Sequence, residues 1–200
     1  MVNCVLVGVG GQGVLFAAKV LAQSLLLSGY DVKQSEVHGM AQRGGSVMCC
    51  VRAGQRVFAP VLAPGEADLL IGFESLEALR YVHYVKPGGS AIVNMRRIPP
   101  APVSLGEFAY PDDVLERIRD RATTYVIDAA RIARDLGEPR VANTVVLGAA
   151  AAFCAVSAQA CADALRAVAK RNLEPNLKAL AAGYEIGHQW MIRNQRRHPG

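Results

Sequence analysis

The chain has 200 residues, of which 52% are hydrophobic and 20% are charged, and its formal net charge is +5. Such a composition is typical of a folded globular chain and excludes a disordered one. The mild positive charge suits an anionic ligand or an acidic partner, but it does not require nucleic acid. Because the few aromatic residues do not interleave with basic residues as in an RNA-binding sheet, we expect no nucleic-acid partner.

Neither a membrane anchor nor an export signal is expected. The first strand starts at once, without a basic segment, an apolar stretch and a small-residue cleavage site in front of it. The most apolar helical run, residues 144–156, is shorter than the ~20 residues that a membrane span needs, so it predicts a buried helix. We therefore expect a cytoplasmic protein without membrane contact.

The hydrophobic pattern predicts strands that alternate with helices. Predicted strands span residues 2–7, 30–36, 46–52, 67–73, 90–94 and 124–127. Predicted helices span residues 12–27, 75–85, 111–121 and 128–136, followed by helical sequence from residue 144 to the end with breaks near Ser157 and Asn172. Alternating strands and helices imply a largely parallel sheet that is covered on both faces.

We therefore predict an α/β fold, namely a three-layer α/β/α Rossmann-like arrangement. Its sheet is expected to be mostly parallel with some antiparallel pairing, and its C-terminal section to be helical. Residues 1–200 are predicted to form one domain, with residues 1–137 as the α/β core and residues 138–200 as the helical section.

Turn and capping residues add local expectations. Gly54 and Gln55 predict a hairpin turn into a short strand at residues 57–58. Residues 87–89 (Pro-Gly-Gly) predict a turn, and residues 98–102 predict an extended segment because proline excludes helix. Ser75 is a suitable N-cap for the helix that follows it.

The most informative stretch is the glycine-rich loop after the first strand. Its glycines Gly8, Gly10 and Gly13 fit G-x-G-x-x-G, the fingerprint of a strand that turns into a helix over a phosphate. The backbone of Gly11 and Gln12 and the N-terminus of the following helix would face the anion. The alternative is a tight turn without a ligand. For a dinucleotide, Glu36 has the spacing of the usual ribose-binding acid.

A second glycine-rich loop, His38 to Gly45, follows the next strand. Its glycines around Arg43 allow close approach to a ligand, while the guanidinium suits a phosphate or a carboxylate. We favour binding by Arg43, Gly44 and Gly45 over a solvated loop in which Arg43 pairs with a neighbouring acid, because binding residues concentrate in such loops. His38 is interpreted as a structural histidine rather than an acid–base group.

Other polar residues follow predicted strands, and the ends of parallel strands meet at one edge of a sheet. Glu74, Asn94 and Asp128 are therefore expected at that edge with the two glycine loops. Glu74 and Asp128 are interpreted either as an acid–base pair or, equally well, as helix caps. Asn143 begins the buried helix, where capping is the favoured role and a ligand contact the alternative.

The cysteines indicate no redox centre in this chain. They are odd in number and form no C-x-x-C pair, unlike the ligands of iron–sulfur and zinc sites. All five are interpreted as core residues of a reduced protein: Cys4, Cys49, Cys50, Cys154 and Cys161. No catalytic or metal-binding residue is predicted.

The C-terminal section carries basic residues that suit an acidic partner or, by default, a solvated helix face. They include Lys170, Arg171, Lys178 and Arg193. Residues Tyr184, Ile186, Trp190 and Met191 of the last helix are interpreted equally as core or as a subunit contact.

Several segments together resemble the γ-type subunits of 2-oxoacid:ferredoxin oxidoreductases over nearly the whole chain. They are GVGGQGVLFAAKVLA, SEVHGMAQRGGSV, ADLLIGFESLEALR, KPGGSAIVN and EPNLKALAAGYEIG. The glycine loop is shared across that superfamily, whereas the HGMAQRGG form is typical of its indolepyruvate branch.

The resemblance implies a subunit rather than a complete enzyme. In that family a larger partner carries thiamine diphosphate and [4Fe–4S] clusters, and the complex oxidatively decarboxylates a 2-oxoacid, forms an acyl-coenzyme A and reduces ferredoxin. This chain would help to bind coenzyme A through Gly8–Gly13, Arg43, Gly44, Gly45 and Asn143, and would close the active site. The alternatives are a γ subunit of a pyruvate or 2-oxoglutarate enzyme, or a free-standing nucleotide-binding regulatory module.

Overall fold

The computed structural model describes residues 1–38 and 44–197, and these residues form six strands and eight α-helices. The strands are β1 (Val2–Val9), β2 (Asp31–His38), β3 (Ser46–Gly54), β4 (Ala67–Gly72), β5 (Val85–Asn94) and β6 (Thr123–Ile127). The helices are α1 (Val14–Leu27), α2 (Ser75–Tyr81), α3 (Ala101–Ser104), α4 (Val114–Arg119), α5 (Ala129–Asp135), α6 (Ala142–Ala151), α7 (Ala158–Val168) and α8 (Leu173–Arg197). Short 3₁₀ turns span Val82–Tyr84, Pro139–Val141 and Ala152–Cys154.

The six strands form one sheet in the order β2-β3-β1-β4-β5-β6. Strands β1, β4, β5 and β6 pair in parallel, whereas β3 runs antiparallel to both of its neighbours, β1 and β2. The predicted α/β fold, with a mostly parallel sheet and some antiparallel pairing, is therefore confirmed. Because only β3 is reversed in this sheet, its first residues lie at the same edge as the last residues of the other strands.

Alternating strand residues divide the core into two layers, one on each side of the sheet. Leu6, Ile71 and Ile92 belong to the core cluster that contains residues of α1 and α5 to α8. Val7 and Leu70 belong to the opposite cluster, which contains residues of α2 and α4. This is the period of two expected for a sheet that is buried on both faces.

The predicted hairpin into residues 57–58 is wrong, because residues 55–66 contain no strand. Both edges of β3 are already paired, so no hairpin partner can add to it. Side chains hold the segment instead: Val57 N donates to Asp31 Oδ2 at 2.7 Å, and Arg52 Nη1 donates to the carbonyl of Val61 at 2.7 Å.

Three further local expectations need correction. Residues 87–89 lie inside β5 as a bulge, since Ala67 pairs with Val85 and Leu69 already pairs with Ser90. Residues 101 and 102 are helical rather than extended, because proline is tolerated in the first turn of a helix. Helices α2 and α4 are shorter than the predicted 75–85 and 111–121.

The five cysteines are free and buried, as predicted for core residues. Cys4 Sγ lies 3.6 Å from Cys154 Sγ, and this contact together with burial raises the pKa of the Cys4 thiol. Burial also raises the pKa of Cys49 to about 12 and that of Cys161 to about 11. Thiols with such pKa values stay protonated and unreactive at neutral pH.

Helix α8 is the longest in the described part of the chain and packs on α6 through glycines. A Cβ added at Gly148, Gly183 or Gly187 would lie well inside 3.0 Å of backbone atoms of the other helix, closer than real Cβ atoms approach. Further along α8, Trp190 stacks on Tyr125 with ring centroids 5.3 Å apart. The core interpretation of Trp190 is thereby favoured. No helix within residues 1–38 and 44–197 is both long and apolar enough to cross a membrane.

The α6–α8 contact generates a stability prediction. Gly183→Ala should lower the free energy of unfolding by about 1–3 kcal/mol, because the added methyl group collides with the backbone of Val145 and the helices must separate. The higher helix propensity of alanine, worth about 1 kcal/mol, offsets only part of this loss. Urea unfolding measures the change.

The control is His188→Ala on the exposed face of the same helix, which should stay within about 0.5 kcal/mol of the wild type. A Gly183→Ala protein as stable as the control would contradict the backbone-contact explanation.

Candidate functional site

A cavity of about 500 Å³ lies at the edge where the parallel strands end. It is bounded by the glycine loop after β1, by the end of β5 and by the start of α6. Of the predicted site residues, those that line it are Gly10, Gly11, Gln12, Gly13, Gly44 and Asn143. The cavity lining also includes Phe73, Asn94, Arg96 and Arg140, which the glycine fingerprint does not indicate.

The glycine loop adopts a backbone that only glycine adopts easily. Gly11 and Gly13 have φ values of 100° and 79°, in the left-handed region. Gly13 is the N-cap of α1 and has no side chain to satisfy the first-turn N–H groups. These N–H groups have no partner inside the helix, so the positive end of α1 opens at the cavity.

Asn143 lies directly over the start of α1. A Cβ at Gly13 would collide with the Nδ2 atom of Asn143, so the third glycine of the fingerprint makes room for this side chain. The Asn143 Oδ1 atom accepts from the N–H of Thr144 at 3.0 Å. The side-chain amide of Asn143 therefore accepts a backbone hydrogen bond at the start of α6 and also lines the cavity.

Gln12 holds the loop in place through both ends of its amide. Its Oε1 accepts from Val9 N at 2.7 Å, and its Nε2 donates to the carbonyl of Phe73 at 2.9 Å. A Cβ at Gly8 would lie only 2.8 Å from Gln12 Oε1, so the first glycine leaves space for this side chain. Gln12 thus ties the end of β1 to the end of β4.

The two glycine loops meet, as the shared strand edge predicts. Gly10 N donates to the carbonyl of Gly45 at 2.8 Å, and Gly44 N donates to the carbonyl of Gly10 at 3.3 Å. The side chain of His38 and residues 39–43, including Arg43, lie outside the described part of the chain. A ligand contact by Arg43 therefore stays a prediction.

Two positively charged residues that line the cavity were not predicted from the sequence. Arg96 follows β5 by two residues, so the rule that points to residues after strand ends could have found it. Arg140 precedes α6 and pairs with Glu138, with an Nη2–Oε2 distance of 2.8 Å and an Nε–Oε1 distance of 2.9 Å. This guanidinium lowers the pKa of Glu138 to about 2.

Glu74 is a helix cap and a structural anchor rather than a carboxylate facing the ligand. It is 1% exposed, and its Oε2 accepts from Glu77 N at 2.8 Å, so Glu74 and not Ser75 is the N-cap of α2. Its Oε1 accepts from the Tyr110 hydroxyl at 2.7 Å and from Ile98 N at 3.0 Å. Glu74 thereby fastens the segment that connects β5 to α4.

Asp128 likewise caps a helix, since its Oδ1 accepts from Arg131 N at 3.0 Å. Neither Asp128 nor Glu74 lines the cavity, so the capping interpretation is favoured over an acid–base pair. Within the described residues, no group of three or more His, Cys, Asp and Glu side chains is placed to hold a metal ion.

Comparison with known proteins identifies the family of this chain. Residues 3–186 match the pattern that defines the pyruvate ferredoxin/flavodoxin oxidoreductase family. The chain belongs to this family. It is 37% identical over 196 residues to indolepyruvate oxidoreductase subunit IorB of Pyrococcus horikoshii, covering 94% of this chain and 97% of that protein. Over 151 residues it is 42% identical to IorB of Thermococcus kodakarensis, covering 74% and 75% of the two chains.

The predicted resemblance to γ-type subunits is confirmed by these relatives and by a solved structure. The γ subunit of a keto/oxoacid ferredoxin oxidoreductase from Geobacter sulfurreducens has a TM-score of 0.69 and 26% identity, covering 94% of this chain and 98% of that one. Relatives named for ketoisovalerate, pyruvate/ketoisovalerate or 2-oxoglutarate are 24–28% identical.

The Glu74 anchor can be tested by Tyr110→Phe. Loss of the hydroxyl that donates to Glu74 should lower the free energy of unfolding by about 1–2 kcal/mol. Burial raises the pKa of Tyr110 to about 12 from 10.0, so the fold favours the neutral phenol. The stability that this pKa difference contributes is present below pH 10 and is lost as the pH rises from 10 to 12. Urea unfolding at pH 8 and at several values up to 12 measures both effects.

The control is Tyr84→Phe, because no hydrogen bond of the Tyr84 hydroxyl occurs among the described residues. It should retain the stability of the wild type and its alkaline loss. A Tyr110→Phe protein as stable at pH 8 as the Tyr84→Phe control would contradict the anchor, and one that keeps the full alkaline loss would contradict the raised pKa of Tyr110.

Proposed function

We propose that this chain is the small, non-redox subunit of an indolepyruvate ferredoxin oxidoreductase. The complex oxidatively decarboxylates an aryl 2-oxoacid, transfers the acyl group to coenzyme A, and releases CO₂ and reduced ferredoxin. The choice of indolepyruvate rests on identity: the relatives named for it are 34–42% identical to this chain, against 24–28% for relatives named for other 2-oxoacids. A γ subunit of a pyruvate or 2-oxoglutarate enzyme is the second candidate.

The redox chemistry belongs to the larger subunit in this proposal. Thiamine diphosphate there supplies the decarboxylation chemistry, and [4Fe–4S] clusters carry the electrons toward ferredoxin. The burial of all five cysteines of this chain in its two core layers supports a structural rather than a redox role for them. We place the complex in the cytoplasm and expect the isolated chain to be inactive.

In this proposal the chain binds coenzyme A. The observation that supports coenzyme A binding is the positive charge at the cavity. The lining contains the open N-terminus of α1 and Arg96, which forms no ion pair among the described residues, together with Arg140, whose charge is compensated by Glu138. The first-turn N–H groups of α1 would donate to the diphosphate, since oriented N–H groups and a positive dipole end favour an anion. Arg43 would add a bidentate contact from the second glycine loop.

The remaining predicted residues act by shape and position. Gly11 allows the diphosphate to approach the backbone, because nothing lies within 4 Å of a Cβ placed there, whereas Gly13 leaves room for the Asn143 amide, which lines the same cavity. Gly8 and Gln12 set the loop conformation, while Gly44 and Gly45 join the two loops. Coenzyme A would be oriented with its thiol toward the edge of the sheet that faces the partner subunit.

The same edge would close the active site of the partner. The two glycine loops would cover it and keep water away, which protects the reacting acyl group from hydrolysis. Backbone hydrogen bonds between Gly10 and residues 44–45 support a joint action of the loops.

The rival function, a free-standing dinucleotide-binding module, needs Glu36 near the glycine loop. Strand β3 lies between β1 and β2, so Glu36 pairs with Cys49 and Cys49 pairs with Leu6. The acid is thus about 10 Å from β1, at about 4.8 Å per strand. In the dinucleotide-binding order the second strand is adjacent to the first. This topology disfavours the dinucleotide-binding alternative.

Arg43→Ala tests the binding role. In the assembled complex it should raise the KM for coenzyme A by roughly 10-fold, because a charge-assisted contact to phosphate is lost. The KM for the 2-oxoacid should change little. Steady-state kinetics with ferredoxin reduction as the readout measures both constants.

Arg134→Ala provides the control, since it removes an exposed arginine of α5 that lines neither the cavity nor a neighbouring one. An unchanged KM for coenzyme A in a fully assembled Arg43→Ala complex would remove this role from Arg43.

The function as a whole is tested by anaerobic affinity purification from the native host. A co-purifying large subunit with iron, thiamine diphosphate and coenzyme A-dependent oxidation of indolepyruvate is expected. Faster turnover of pyruvate or 2-oxoglutarate would select the second candidate. Recovery of this chain alone with bound dinucleotide would select the regulatory module.

A further inference from the structure

A second cavity, of about 390 Å³, adjoins the one at the glycine loop. The two share Arg140 and Asn143 as lining residues, so they lie side by side, and together they are called the groove. The second cavity extends away from the sheet edge, over the connection between α7 and α8. Its own cations are Lys170 and Arg171.

Each part of the groove contains a cation without a carboxylate partner among the described residues. Arg96 lines the first part, Lys170 and Arg171 line the second, and Arg140, which is paired with Glu138, lines both. Neither Lys170 nor Arg171 forms an ion pair with a carboxylate in the described part of the chain. Both side chains are exposed, and two adjacent cations without a counter-charge attract an anion.

Helix N-termini add to this field. Helix α6 begins at the junction of the two cavities, where Asn143 lines both. Helix α8 begins just after Lys170 and Arg171, and Asn176 of its first turns lines the second cavity. Together with α1, the N-terminal ends of three helices lie beside the groove, where their dipoles favour an anion.

The connection that carries the two cations is held in a defined shape. Asn172 has a left-handed backbone with φ of 53°, and its carbonyl accepts from Asn176 Nδ2 at 2.9 Å. Asn176 Oδ1 in turn accepts from the Thr144 hydroxyl at 2.6 Å. The turn before α8 is thus fastened to α6, beside the shared part of the groove.

We infer that the second cavity binds the ribose 3′-phosphate of coenzyme A, through Lys170 and Arg171. This inference rests on the proposed function, in which the diphosphate lies at the start of α1. The thiol must reach the sheet edge, so the nucleotide end points the other way along the groove, into the second cavity. A ribose phosphate is a dianion, and a lysine with an adjacent arginine supplies matching charge and donors.

The test compares coenzyme A with 3′-dephospho-coenzyme A, which lacks only that phosphate. In the assembled complex, kcat/KM for coenzyme A should exceed that for the dephospho form by roughly 10- to 100-fold, the size expected for one or two charge-assisted hydrogen bonds. The double variant Lys170→Ala, Arg171→Ala should lose most of this preference. Its kcat/KM for the dephospho form should stay close to that of the wild type.

The matched control is Lys19→Ala, Lys178→Ala, which also removes two exposed positive charges but none from the groove. It should keep the wild-type preference, which separates a local contact from a loss of net charge. Co-elution with the larger subunit verifies that both double variants assemble.

Two results would overturn the inference alone: a wild-type complex that uses both compounds equally well, or a Lys170→Ala, Arg171→Ala complex that keeps the full preference. A complex whose turnover does not depend on coenzyme A at all would overturn the proposed function as well.

Discussion

The carbonyl oxygen of Phe73 connects the chain segments that form the cavity. It accepts from Gln12 Nε2 at 2.9 Å and from Asn94 Nδ2 at 3.1 Å, one residue beyond the end of β4. Gln12 also accepts from Val9 N, and Asn94 Oδ1 accepts from Ala129 N at 3.2 Å. Two side-chain amides therefore join the ends of β1, β4 and β5 to the start of α5. The edge that the strands share is a connected polar network rather than a set of independent loops.

Much of the fold was predictable from the sequence, because the hydrophobic period of buried strands and helices is local. Gly8, Gly10 and Gly13 could be placed for the same reason, since their spacing alone describes the turn. The rule that parallel strands end at one edge brought Asn94 and the second glycine loop to the cavity. The predictions rested on local pattern plus this one topological rule.

The wrong predictions share a physical cause, which is competition from distant parts of the chain. A hairpin after Gly54 was reasonable locally, but β1 and β2 already occupy both edges of β3. Ser75 and Glu74 are adjacent capping residues, and Glu74, which is the cap, also accepts a hydrogen bond from Tyr110, 36 residues later. The strand order itself, with β3 inserted between β1 and β2, is not visible in any short segment.

Charge gave the weakest signal in the sequence and a strong one in the structure. A net charge of +5 says little, because most cations on a protein surface are solvated or paired. Folding brings Arg96, Arg140, Lys170 and Arg171 from separate parts of the chain to one groove, where Glu138 compensates the charge of Arg140 alone. Glu74 and Asp128 cap helices instead of lining the groove.

The glycine contact between α6 and α8 has a mechanical consequence. Backbone touches backbone at Gly148, Gly183 and Gly187, so no layer of side chains between the helices can rearrange. Sliding or turning α8 would bring main-chain atoms into collision. The middle of α8 is therefore fixed in position against α6. The turn at its N-terminal end is joined to α6 as well, through the hydrogen bonds of Asn176 with Asn172 and Thr144. Binding there would sacrifice little conformational entropy, which is the advantage of a preorganised surface.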